Sequence, residues 1–245
     1  MKALVLRADA GPLLSFGGVM VDQHGFVDRF PGLAMLTGLL ANALGWDHRH
    51  TDRLQLLQER LEFAARWDVP AYEMVDYQTV DLSQPRLAAQ GWTTRGTPEH
   101  RGGGPAARFG THQRYRHYWV DGLMTVVLTL STDTRPTIEE AMEALRHPER
   151  PLFWGRKPCL PARPILDPET PLTEGADLLT ILRAVPVWDR AGTVVEDPGL
   201  REACWPPSLG STPSEVQRVY DLRDWRNQLF TGARERQQGM IGGVP

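Results

Sequence analysis

An α+β fold is what this sequence predicts: a ferredoxin-like or RRM-like sheet carrying an inserted β-hairpin thumb, with a smaller C-terminal region behind it. Three observations lead there. Up to about residue 165 the periodicity runs strand, helix, strand, strand, helix, strand, the order of a ferredoxin-like or RNA-recognition-motif sheet. A polar stretch over 81–111, with Gly102-Gly103-Gly104 at its centre, breaks that order and is too long for an ordinary connection. Proline-rich sequence over 158–171 then marks a boundary, dividing the chain into 1–165, with its thumb at about 81–120, and a small region with a tail at 166–245.

Each element has its own signal. Residues 2–8 alternate around Leu4 and Leu6 as a strand does and end in the turn Ala10-Gly11-Pro12. Pro31 suits a first helical turn, Leu33, Leu36, Leu40 and Leu44 recur at helical spacing, and Gly45 closes the helix. A second helix over 51–61 buries Leu54, Leu57 and Leu61. Strands follow at 63–69 and 74–80, separated by Pro70. Beyond the glycine-rich stretch, 112–119 and 124–130 are two extended runs with Asp121-Gly122 as a hairpin turn between them, so 81–130 reads as one long projecting arm. Thr137 and Glu140 form a capping box for a helix over 138–146 with Met142 and Leu145 facing inward. A short strand at 152–154 runs into a basic turn. In the C-terminal region a helix is expected over 176–185, short strands at 185–189, 193–196 and 216–222, and a tail from 232 to 245.

A chain of 245 residues, 41% of them apolar, suffices for a packed core. No apolar run reaches the ~20 residues a membrane helix needs, so a cytoplasmic protein with no membrane contact is expected. Cys159 and Cys204 form no Cys-x-x-Cys pair and imply neither a disulfide framework nor a zinc site. The net charge of -3 argues against indiscriminate coating of nucleic acid, but the charge is unevenly spread. Arginines 95, 101, 108, 114 and 116 and histidines 100, 112 and 117 crowd one region that holds a single acid, Glu99. Local potential, more than the total, attracts a phosphate backbone.

Catalytic signatures are sparse. His48 and His50 lack the further ligands a metal needs, and no metal or other cofactor is expected. Phosphate-loop, His-Glu-x-x-His and Gly-x-Ser-x-Gly motifs are absent. Tyr115, His117 and Tyr118 among arginines suit a metal-independent ribonuclease in residue type, yet alternation sends His117 and Tyr118 to opposite faces of a strand. Single-stranded RNA binding uses the residues more fully. Phe153, Trp154, Tyr115 and Trp119 offer stacking planes, and Arg114, Arg116, Arg156 and Lys157 offer cations. One of the neighbours Phe153 and Trp154 must face the core. A third reading is a protein-interaction scaffold whose basic arm meets acidic neighbours.

Several motifs in register resemble the Cas-five family, the CasD-type subunits of type I-E CRISPR Cascade. Phe153-Trp-Gly-Arg-Lys-Pro-Cys159, with Pro161 and Pro164, is similar to its aromatic-x-Gly-Arg-Arg-x-Cys-x-x-x-x-Pro signature. Leu6-Arg-Ala-Asp-Ala-Gly-Pro-Leu-Leu-Ser-Phe-Gly17 is similar to its first strand and turn. Arg29-Phe-Pro31, with Gly38-Leu-Leu and Ala43-Leu-Gly45, resembles its first helix, and Asp76-Tyr-Gln-Thr-Val80 its Asp-Tyr-His-Thr-Val. Arg116-His-Tyr-Trp-Val-Asp121 fits its Arg-x-Tyr-x-x-Asp.

The resemblance covers about 1–165. It implies a repeat-associated RNA-binding fold whose thumb grips the 5′ handle of a CRISPR RNA, and which caps a backbone filament and contacts the large subunit, with target DNA met only through the complex. It implies no catalysis, with a base held against Arg116 and Phe153, and phosphates met by Arg156 and Lys157. Arg114, Tyr115, a distal Arg108 on the arm, Ser15 and Arg29 complete the RNA-binding set. The rival within the family is a repeat-processing endoribonuclease, as in type I-C relatives. Where the family carries Thr-Arg-Ser-Gly after Phe-Pro, this chain has Gly32-Leu-Ala-Met35, and a basic residue is missing from the helix start.

Overall fold

Leucines at 4 and 6 and small apolar residues at 3, 5 and 8 are all buried, so both faces of the first strand are covered and it must lie inside a sheet. The computed structural model describes residues 1–18, 20–21, 23–81, 111–131, 134–209 and 214–242. That first strand, β1 (Lys2–Asp9), is followed by three two-residue strands, β2 (Leu13–Leu14), β3 (Met20–Val21) and β4 (His24–Gly25). Helices α1 (Leu33–Ala43) and α2 (Thr51–Arg60) come next, then β5 (Leu61–Val69), β6 (Tyr72–Asp81), β7 (Thr111–Val120) and β8 (Leu123–Leu130). After α3 (Ile138–Arg146) the chain adds β9 (Leu172–Glu174), α4 (Leu178–Ala184), β10 (Leu200–Trp205), β11 (Ser214–Asp224) and β12 (Leu229–Gly242).

The architecture is α+β with mostly antiparallel sheets. Seven strands order as β11-β12-β10-β5-β8-β1-β9, each pair antiparallel. Period-two alternation gives this sheet two different faces. Leu4, Leu6, Phe63, Ala65, Val126 and Leu128 meet Leu36 and Leu40 of α1 and Ala141 and Leu145 of α3. Ala3, Val5, Ala64 and Val127 turn the other way, onto Leu178, Leu179, Ile181 and Leu182 of α4. Each such leucine contributes ~1.5–3 kcal/mol when removed from water. A second, smaller sheet orders β2-β7-β4-β3, with β6 paired along the other side of β7. No helix of the described residues is long and apolar enough to cross a membrane.

Several sequence expectations need correction. Residues 123–130 are no part of a projecting arm: every residue of β8 is buried, which demands neighbours on both sides, and β1 and β5 supply them. Asp121-Gly122 is accordingly a corner between two sheets and not a hairpin, with Asp121 at φ 59 and Gly122 so close to Trp67 and Ala71 that a Cβ there would lie within 2.6 Å of both. The arm's paired root is β6 with β7, and the expected tip lies outside the described residues. No strand forms at 152–154. Trp154 donates its N–H to the Cys159 carbonyl (2.8 Å), closing a loop on itself, while β9 takes the slot beside β1.

The expected tail from 232 is also overturned as far as Gly242, because β12 is a long strand inserted between β10 and β11. Residues beyond 165 therefore build the same sheet as β1. The expected strands at 185–189 and 193–196 shrink to one bridge, Trp188 to Val194.

A buried ionic network fastens the proline-rich segment to this sheet. Arg7 donates to Asp167 (2.7 and 2.9 Å), Asp68 (3.0 Å) and the Thr125 hydroxyl (2.5 Å), and Arg66 donates to Asp68 (2.7 Å). At the start of α1, Gly32 has no side chain to cap the helix. Asp221 of β11 does so instead, accepting the Leu33 N–H at 2.9 Å while paired with Arg234 at 2.8 Å.

Candidate nucleic-acid interface

Parallel pairing of β4 with β7 sets Gly25 beside Arg116 and His24 beside Tyr115. Gly25 lacks the one atom that would keep two guanidinium groups apart. A Cβ there would lie 2.9 Å from Arg116 Nη1 and 3.0 Å from Arg156 Nη2. Arg156 donates to the Gly25 carbonyl (3.2 Å) and the His117 carbonyl (3.3 Å), and lies 5.1 Å over the buried Tyr118 ring. Among the described residues neither arginine has a carboxylate within ion-pair distance, although Asp76 lies cross-strand from Arg116, and the Arg116 side chain makes no hydrogen bond. Two half-buried like charges, one of them held by carbonyls and a ring, repel each other until an anion joins them, and phosphate matches their forked donors.

The turn that delivers Arg156 is built from its neighbours. Trp154 is fully buried, and Gly155 sits at φ +88 with a hypothetical Cβ only 1.6 Å from the Ser15 carbonyl oxygen, so the position admits no side chain. Ser15 donates its backbone N–H to the Trp154 carbonyl (3.1 Å), and Cys159 donates to that of Arg156 (2.9 Å). Burial pushes the Cys159 thiol up to about 11, which marks it as an inert packing residue.

The opposite face of β7 is aromatic. Tyr77, Tyr115, His24 and Phe26 form a column with successive ring centroids 5.1, 4.6 and 5.7 Å apart and interplanar angles of 35°, 7° and 15°. His117 leans on Phe26 at 4.8 Å and is held by Glu73 through Nδ1 (2.5 Å); its Nε2 is buried without a hydrogen-bond partner. That nitrogen is out of reach of a 2′-hydroxyl in solvent, which weakens a general-base role. Among the described residues no three His, Cys, Asp or Glu side chains gather as a metal would require.

Of the residues singled out from sequence, Arg116 and Arg156 are brought together. Tyr115 points to the other face of β7, and Arg114 is half-buried with Nη1 on the Gln113 carbonyl (3.0 Å). Phe153 is half-buried outside the core while Trp154 belongs to it, and Lys157 is exposed on the turn. Ser15 is wholly buried and offers backbone, not side chain. Arg29 is not a free cation: it pairs with Glu202 (2.7 Å) and lies 4.7 and 4.8 Å over Trp67 and Trp119, tying the two sheets together. Arg108 lies outside the described residues. Sequence reasoning missed Gly25, His24, Phe26 and Tyr77. A two-residue strand carries no periodicity, and only the Tyr77–Tyr115 register could have suggested the column.

A family model described as CRISPR-associated protein (Cas_Cas5) matches residues 3–237. The chain is similar to the CRISPR system Cascade subunit CasD of Escherichia coli (strain K12), 31% identical over 173 residues that span 67% of this chain and 70% of that one. A solved chain from a CRISPR RNA-guided surveillance complex shares the fold at a TM-score of 0.65 and 23% identity, covering 99% of this chain and 91% of its own. A Cas protein crystal structure does so at 0.65 and 22%, covering 99% and 97%. With nearly its whole length matched by the family model, this chain belongs to the Cas5 family of CRISPR-associated proteins.

Proposed function

We propose that this chain is a non-catalytic subunit of a Cascade-type CRISPR complex that holds the 5′ handle of the CRISPR RNA and caps the backbone filament. It would touch a neighbouring backbone subunit and the large subunit, meeting target DNA only through the assembly. The observation that carries this reading is the convergence of Arg116 and Arg156 over Gly25, with no ion pair to either among the described residues. Phe153, next to the anchored Trp154, supplies a stacking plane on the same turn, and Lys157 a solvent-facing cation. The order β5-β8-β1-β9, with α1 and α2 preceding β5 and α3 following β8, supports a ferredoxin-like core from which the β6–β7 thumb root projects.

The His117–Glu73 pair is the one observation favouring a repeat-cutting ribonuclease. Incubating the protein with its own labelled CRISPR repeat RNA in EDTA tests both readings. Retained, intact RNA is the expected result. A specific cut that His117→Ala abolishes would replace a holding subunit with a processing enzyme.

A further inference from the structure

We propose that the aromatic column on the other face of β7 is a second RNA subsite, where an unpaired base stacks on the open face of Tyr77. The inference rests on the reading of the chain as an RNA-holding subunit. Four rings in a row, the central pair within 7° of parallel, repeat the geometry of stacked bases, and a further planar group extends the row only at an open end.

The two ends differ. At Phe26 the ring of His117 leans in at 4.8 Å, and Glu73, bonded to His117, brings a negative charge that repels phosphate. Tyr77 is 51% exposed and meets a ring on one side only among the described residues. It lies four residues along β6 from Glu73, roughly 13 Å at strand rise. Arg114, cross-strand from Gln78, alternates onto the Arg116 face of β7 and adds no charge beside Tyr77. Distance from Glu73 and an open ring face therefore select the Tyr77 end.

β6 is an edge of its sheet among the described residues, so a single strand passing that edge reaches both faces of the thumb root. One nucleotide would meet the arginine pair and another the ring column, which favours an unpaired RNA over a duplex that cannot splay its bases.

The test uses the full chain and its own CRISPR repeat RNA with 2-aminopurine replacing one base at a time. Expected are a position whose fluorescence is quenched on binding, and loss of that quench with affinity about 5- to 150-fold weaker in both Tyr77→Ala and Tyr77→Leu. Removing the base at that position should cost Tyr77→Ala nothing further, and the exposed neighbour Val75→Ala should bind as the parent does. Tyr77→Leu at parental affinity would overturn stacking, since bulk without a ring would suffice. Both Tyr77 variants at parental affinity, with Arg116→Ala weakened, would overturn this subsite and leave the holding function standing. Variants that keep RNA but fail to join the neighbouring subunits would reassign the column to a protein contact. A parent that retains no RNA would remove the holding function, and the subsite with it.

Discussion

At the scale of single residues, the convergence of Arg116 and Arg156 depends on the side chain that Gly25 lacks. Gly25→Ala sets a methyl group against two flexible guanidinium ends, which can swing away but no longer converge. Affinity for the repeat RNA should fall several-fold while the melting temperature stays within a few degrees; a large thermal loss would mean that Gly25 serves packing and not the site. Arg116→Ala should weaken binding and reduce the slope of log affinity against log salt by ~0.7, the share of one phosphate contact on a single strand. An unchanged slope would show that Arg116 meets no phosphate. The cysteines give a control on the fold: burial pushes both thiols up to about 11, so neither should react with iodoacetamide at pH 8 until the protein is unfolded. Arg116 and Arg156, which the fold brings together, stand out in the sequence because charged residues beside aromatics, prolines and glycines are conspicuous. Their neighbour Gly25, and His24 and Phe26 of the ring column on the other face, do not stand out, since nothing in the local sequence says which distant strand will lie beside them.

Among the elements, those with a strong periodic signal came out as read. Leu33, Leu36 and Leu40 do face the core from α1, and the Thr137–Glu140 box does open α3. Where the sequence misled, a tertiary contact had replaced a local rule. Residues 152–154 have strand composition, but Gly155 against Ser15 folds them into a closed turn. The polar run of β12 looks like a tail because the residue it buries midway is Arg236, stacked 5.4 Å over Phe30, not an apolar one. The missing basic residue at the start of α1 also finds its counterpart here, for Asp221 occupies that helix end and makes it unsuitable for a phosphate. Asp221→Ala should destabilise the protein by about 3 kcal/mol, combining a lost cap with a partly buried Arg234 left unpaired. In a chain of this size that lowers the melting temperature by roughly 6–12 °C. A shift under about 2 °C would mean that the cap is dispensable.

For the molecule as a whole, stability should depend on acid through the network under β1. Burial by itself would raise the Asp167 carboxyl, but the Thr170 and Glu169 N–H groups and the Arg7 guanidinium outweigh it and hold the group below its ordinary value. A carboxyl with a lowered folded value binds its proton more readily when unfolded, so its contribution is complete above the unfolded value of ~3.9. That contribution is lost as pH falls through the folded value. Urea midpoints measured from pH 6 down to pH 3 should therefore drop more steeply for the parent than for Asp167→Asn, and parallel curves would place the acid sensitivity elsewhere. The proline-rich segment that the sequence marks as a boundary is thus a clasp, with Asp167 at its centre. One consequence concerns the cap that β11 lends to α1. During translation α1 leaves the ribosome long before β11, so the Leu33 N–H has no cap until Asp221, 188 positions downstream, has been made. The first helix to be synthesised is completed by one of the last strands, so a chain that stops short of β11 carries α1 without its cap.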